Sequence, residues 1–396
     1  MISVNEAFEI IMSHTLKQEK EEVALLHGLH RVLAEDIIAD RDLPPYDRVT
    51  MDGVALKFDE LSDAVREFAV AETIKAGSVP TKDRQPGQVF EIMTGASLPE
   101  GTDTVVRYED IEIKDGKCKV LVDDIKQYQN IHFRGSDTKA GDVLCQRGQQ
   151  VHANIIAVAA ACGYDQIRVA KQPSIAVFSS GEEIVPVSAS PAPHQIRQSN
   201  VYAMSALLRS WGYGAEIFTA NDEHEAVKQT LTRIIKQFDV VILTGGVSKG
   251  KFDWIPDVLD ELSIQKHFHR VAQRPGKPFW FGTGEHATVF ALPGNPVSTV
   301  ACMVRYIQPW LSASMGCQIA FTQQVRLSGP MTFAKPLTLF APCTITNGKD
   351  ASLLATPVKF NGSGDFVSII DADGFLELPA DRDHFEEGEV MTFWAF

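Results

Sequence analysis

The apolar positions of this chain change period several times, and the changes divide it into segments. Residues 1 to about 40 read as helical: Ala7, Ile10 and Ile11 fall on one face, and Ser3 with Glu6 forms a capping box ahead of them. The segment closes at the charged, proline-bearing stretch Asp40 to Pro45. Residues 41–139 read as short strands punctuated by Gly77, Pro80, Pro86, Gly87 and Gly116, with a hairpin over Asp110 to Asp124 turning at Asp115-Gly116. Val151 to Cys162 is an alanine-rich apolar helix.

From Pro173 strands and helices alternate. Ser174 to Ser179, Ala215 to Thr219, Val240 to Leu243 and Val289 to Leu292 are the strands; Val201 to Arg209, Glu223 to Phe238, Trp254 to Leu262 and Val297 to Leu311 are the helices. Such alternation predicts a parallel sheet wound by right-handed crossovers, with any ligand outside the carboxyl ends of the strands. After about residue 319 the chain is strand-rich and breaker-rich again, which predicts a small β-barrel or sandwich. The expected architecture is multidomain α/β. Its parts are a helical domain (1–40 and 140–172), an inserted small β-rich domain (41–139), an α/β domain (173–318) and a C-terminal β domain (319–396).

Composition narrows the partners. The chain has 396 residues, 44% hydrophobic and 22% charged, as in an ordinary soluble protein, and no run of ~18 apolar residues that would span a membrane. No signal peptide opens it. Its 51 acids against 37 bases give a formal net charge of −14, a poor balance for nucleic acid. The six cysteines are scattered without a close pair, which argues against a disulfide framework or a thiolate metal site and points to the cytoplasm. His267 and His269 alternate as on one face of a strand, with no third ligand at zinc spacing.

The chemistry gathers on the rim of the predicted sheet. Thr244-Gly245-Gly246-Val247-Ser248 follows a buried strand; its glycines let backbone N–H groups point outward and the next helix start adds its positive end. Arg274-Pro275-Gly276-Lys277-Pro278 projects two cations from a stiff turn. Pro293-Gly294-Asn295-Pro296 frames the start of another helix, where proline is ordinary in itself. Lys249, Lys251, Arg274 and Lys277 make the turns locally positive within an acidic chain. Glu183, Asp222 and Asp253 also follow strands, although Asp222 is equally placed to cap the next helix.

These turns, in this order, resemble the molybdopterin-binding domain of the molybdopterin molybdenumtransferases, the family of bacterial MoeA and the gephyrin E region. The resemblance extends to Asp42-Leu43-Pro44-Pro45-Tyr46-Asp47 with Met51-Asp52-Gly53, to Met93-Thr94-Gly95-Ala96, to Arg134-Gly135-Ser136-Asp137, to Ser179-Ser180-Gly181-Glu182-Glu183 and to Asn361-Gly362-Ser363-Gly364. It implies insertion of molybdate into adenylylated molybdopterin with release of AMP. It further implies an elongated helical domain and a homodimer in which Asp52 reaches a shared cleft, with molybdopterin adenylyltransferase and recipient molybdoenzymes as partners. On this basis Thr244, Gly245, Gly246 and Ser248 cradle the pyrophosphate, and Arg274 and Lys277 hold the oxyanion. Pro293, Pro296 and Ser363 contact the ligand, Asp222, Asp253 and Glu183 hold Mg²⁺, and Asp52, Thr94 and Asp137 support the chemistry.

The chain departs from the family pattern in places. Asn-Ser-Ala before Met-Asp-Gly is Arg48-Val49-Thr50, the Tyr of Gly-Tyr-Ala is Val54, and His132 and Phe133 take two places of an arginine-rich run. Lys249-Gly250-Lys251 replaces Val-Gly-Asp, and Lys335-Pro336-Leu337-Thr338 lacks an arginine. Two other readings follow: a cofactor-binding carrier that releases no AMP, and a hydrolase of another nucleotide, against which the N-terminal signatures argue.

Overall fold

A computed structural model describes residues 1–247, 254–317 and 322–396. Two compact units emerge: Met1–Ala34, Gly148–His152 and Ile167–Phe396 form one, Glu35–Arg147 and Ala153–Gln166 the other.

The first unit is built on a six-stranded sheet in the order Glu216–Ala220, Ile175–Ser180, Val240–Thr244, Thr288–Leu292, Trp280–Thr283, Gln265–His269. The first four strands are parallel, with Ser179 opposite both Thr219 and Thr244, and Thr244 opposite Leu292. The last two pairings are antiparallel, so Trp280–Thr283 alone runs against the others. Central strands buried on both faces read as nearly continuous apolar runs, and Ile175–Ser180, Val240–Thr244 and Thr288–Leu292 are buried throughout, with Ser or Thr only at their ends. Helices Asn200–Ser210 and His224–Gln237 supply the crossovers.

The predicted helix Val297 to Leu311 is helical from Pro296 to Ser314, with a π turn at Met303–Ile307. Pro309 explains the turn: it has no N–H to give the Arg305 carbonyl, so the ladder widens there. At the C-terminus, strands Thr338–Asn347, Leu353–Pro357, Thr322–Leu327, Val390–Ala395 and Gly374–Leu378 pair in a ring that closes between the first and last, a five-stranded barrel.

The helical expectation for residues 1 to 40 is corrected. Only Val4–Met12 forms an α-helix there, with the Ser3–Glu6 capping box in place. Lys20–Ala24 is a strand whose positions alternate exposed and half-buried, and Leu33 bridges Val169. The Lys/Glu-rich stretch favours helix locally, but a period of two with a neighbouring chain segment to pair wins.

In the second unit a half-barrel sheet runs Thr104–Arg107, Gly53–Leu56, Gln88–Ile92, Glu67–Ile74, Lys117–Val120, Ile111–Lys114. The last two strands are the predicted hairpin, with Asp115 and Gly116 at positive φ. Gly53 is required by space: a Cβ there would sit 1.9 Å from the Val106 carbonyl oxygen.

His14 and His267 stack with centroids 3.9 Å apart in the first unit. Burial, then the neighbouring His14 ring, holds His267 below the ordinary histidine pKa. The unfolded chain therefore takes up a proton near pH ~6.5 that the native ring resists, so stability falls as pH drops through that value. The decline ends once the native ring is protonated too. Thermal melts across this range should show the slope, and His267→Gln should flatten it; an unchanged slope would remove His267 as its source.

Candidate active site

A cleft of about 860 Å³ opens at the carboxyl ends of the parallel strands. Its lining brings together Glu183, Asp222, Thr244, Gly245, Gly246, Pro293 and Pro296, residues that the sequence reading had drawn from four separate turns. Gly245 and Gly246 take φ of 88° and 61°, the left-handed region where a side chain is strained. Gly245 N–H donates to the Leu292 carbonyl (3.2 Å), tying the two turns. A Cβ on Gly294 would lie 3.3 Å from Gly245 Cα, so the proline-framed turn packs directly on the glycine turn.

Asn200, at the start of its helix, ties the floor together. Its amide donates to Thr244 Oγ1 (3.0 Å) and to the Gly294 carbonyl (2.7 Å). Gln198 donates to Ser179 Oγ (3.0 Å). Ser180 is 6% exposed and its hydroxyl has no protein partner. Among the described residues, Arg197 is the cation of the lining. Asn200, Gln198 and Arg197 were not singled out from the sequence, and Ser179 and Ser180 entered only as part of a motif. The signal was present: Ser179-Ser180 ends a strand and Gln198-Ser199-Asn200 opens a helix on the same rim.

The cap position of the following helix is Glu223, whose side chain makes no capping hydrogen bond. Asp222, half-buried, and exposed Glu183 both line the cleft. Among the described residues no three acids, histidines or cysteines form a metal-binding group. Ser248 and Asp253, with Lys249 and Lys251, lie outside the described residues. Two carboxylates nonetheless fit Mg²⁺, which takes one or two protein carboxylates and fills the rest of its shell from phosphates and water.

Ser363 approaches from the C-terminal region: its Oγ accepts from the Asn295 amide (2.7 Å) and its carbonyl from Val297 N–H (3.1 Å). Gly364 and Phe366 continue that segment along the lip. Arg274 and Lys277 are exposed but do not line the cleft; Arg274 belongs to a two-residue strand paired to Thr338–Asn347.

The remaining predicted residues sit in the second unit. Thr94 N–H donates to Asp52 Oδ1 (2.6 Å), and the backbone and then side-chain hydrogen bonds from Thr94 hold the Asp52 carboxyl below the usual range. Asp137 Oδ1 lies 2.6 Å from His132 Nε2.

Residues 2–163 match the MoeA N-terminal region (domain I and II), 176–313 the probable molybdopterin binding domain, and 324–396 the MoeA C-terminal region (domain IV). A molybdopterin molybdenumtransferase of a Synechocystis species is 35% identical, covering 100% of both chains. The chain belongs to the molybdopterin molybdenumtransferase family. A Staphylococcus epidermidis member is 32% identical over 98% of this chain and 94% of its own. The solved molybdopterin biosynthesis MoeA protein of Pyrococcus horikoshii superposes with a TM-score of 0.84 at 25% identity over 100% of both chains. Membership makes the protein a transferase of molybdenum-cofactor biosynthesis. The departures at Arg48, Val54 and His132 occur within this family assignment, and no helix among the described residues is long and apolar enough to cross a membrane.

Proposed function

We propose that the protein inserts molybdate into adenylylated molybdopterin and releases AMP, acting in the cytoplasm as a homodimer. The observation that carries this is the cleft, whose lining brings a glycine turn, a cation and two carboxylates together. The glycine turn with the Gly246 N–H, the start of helix Asn200–Ser210 and Arg197 suit a pyrophosphate. Thr244 is held in place by Asn200 and orients the turn rather than moving a proton. Glu183 and Asp222 would hold Mg²⁺, which when bound neutralises charge as the phosphoanhydride breaks. Asp52, Thr94 and Asp137 would serve the same reaction from a second copy of the chain.

The test is AMP release by purified protein given adenylylated molybdopterin, Mg²⁺ and molybdate, with a control lacking molybdate. Molybdate-dependent AMP is the expected result. Tight pterin binding without AMP would replace the transferase reading with that of a carrier.

Ser180 offers a second check. A buried hydroxyl without a partner costs about 1–3 kcal/mol, so Ser180→Ala should leave the ligand-free melting temperature unchanged or higher. The same variant should bind AMP more weakly in calorimetry. A lower melting temperature with unchanged affinity would make the hydroxyl structural.

A further inference from the structure

The second unit holds a polar chain that ends on Asp137 and whose other two members, Arg48 and His132, have no role in the chemistry above. Strands Arg48–Val49 and Ile131–His132 pair antiparallel, with Arg48 directly opposite His132. The Arg48 guanidinium lies 2.9 Å from His132 Nδ1, and His132 Nε2 lies 2.6 Å from Asp137 Oδ1. A guanidinium nitrogen can only donate. Nδ1 must therefore present its lone pair, and the ring proton belongs on Nε2, pointed at the carboxylate. The chain runs one way, from guanidinium through imidazole to carboxylate.

Backbone pairing places this chain beside another site residue. Val49 N–H donates to the Ala96 carbonyl (3.0 Å) and Gly95 N–H to the Val49 carbonyl (2.9 Å). The strand of Arg48 thus lies between the segment that carries Thr94, bound to Asp52, and the strand that carries His132. Asp137 N–H is held by the Leu43 carbonyl (3.0 Å), while its side chain is 56% exposed. An exposed carboxylate on a loop samples several rotamers unless a donor selects one. His132 is that donor, and its own orientation is set from across the strand pair.

We propose that Arg48 and His132 are positioning residues, a cross-strand relay that fixes the imidazole tautomer and aims the Asp137 carboxylate. The proposal rests on the reading of Asp137 as a residue of the transferase site, and its test separates the two. Ring ¹⁵N spectra of the whole protein, recorded at about pH 8, above the ordinary histidine pKa, should show His132 with a protonated Nε2 and a bare Nδ1. The signal is assigned by its absence in His132→Gln. Arg48→Ala should release the ring into a mixture of tautomers. In the AMP-release assay, Arg48→Ala and His132→Phe should each lower kcat about tenfold with KM within about twofold. His132→Gln keeps an acceptor and a donor and should stay within about threefold of the unaltered protein.

A proton on Nδ1 in the unaltered protein would overturn the relay, as would full kcat in both Arg48→Ala and His132→Phe. Equal losses in His132→Gln and His132→Phe would overturn it too, since the imidazole itself would then be needed. If the unaltered protein releases no AMP, the transferase reading fails, and the ring spectra alone decide whether the relay exists.

Discussion

Asp222→Asn should reduce molybdate-dependent AMP release about a hundredfold, while AMP binding measured without divalent cation stays the same or tightens. The two signs come from one geometry. Asp222 is half-buried in the lining of the candidate cleft, which also holds Glu183, the glycine turn, Arg197 and a helix start. A carboxylate there repels a phosphate unless a cation lies between them. The amide keeps the volume, removes the charge and gives up the ability to hold Mg²⁺ with Glu183. Chelation of divalent cations should therefore lower turnover of the unaltered protein and barely change that of the variant. Calorimetry with AMP, with and without Mg²⁺, gives the binding half of the test; steady-state AMP release gives the other. Parallel losses in cation-free binding and in turnover would show that Asp222 shapes the cleft and holds no metal.

Glu377→Ala should destabilise the first unit by about 3–5 kcal/mol, the usual consequence of leaving a buried charge without its partner. Arg305 is 5% exposed, on the π turn that Pro309 imposes. Its Nε donates to Glu377 Oε2 (3.0 Å), which also accepts from Trp394 Nε1 (2.7 Å). The guanidinium lies 4.5 Å from the ring centroids of both Phe8 and Trp394. The N-terminal helix, the π turn and the barrel meet on this one cation. Denaturant unfolding should show the midpoint shift. The paired replacement Arg305→Met with Glu377→Leu should recover most of it, because two apolar side chains carry no desolvation cost. A loss below about 1 kcal/mol in the single variant would mean that water reaches the guanidinium and that the pair behaves as a surface ion pair.

The two predictions draw on information of different kinds, and so does the whole reading. Asp222 was legible because carboxylates after parallel strands collect on one rim wherever the strands are. The Arg305 knot was not. Its partners are 72 and 89 residues further along and nearly 300 residues back, and nothing local in Met303–Ile307 distinguishes it from an apolar helix with one charge. Residues 15–40 misled for a related reason: their helix propensity is a local quantity, while the strand Lys20–Ala24 is stabilised by what lies beside it.

By itself the chain's sequence determined the alternating α/β region, the glycine turn at Thr244, the hairpin at Asp115-Gly116 and the order of motifs that marks the family. Each depends on periodicity or on a residue type that only certain backbone conformations tolerate, and both are written within a few neighbouring positions. Only the tertiary structure decided that Asn200 ties the turns of the cleft together, that Ser363 bonds Asn295, that Arg274 pairs with the barrel, and that Arg48 stands opposite His132. Those contacts join segments far apart in the chain, and a hydrogen bond between them follows from sheet register and packing, which no local stretch of sequence encodes.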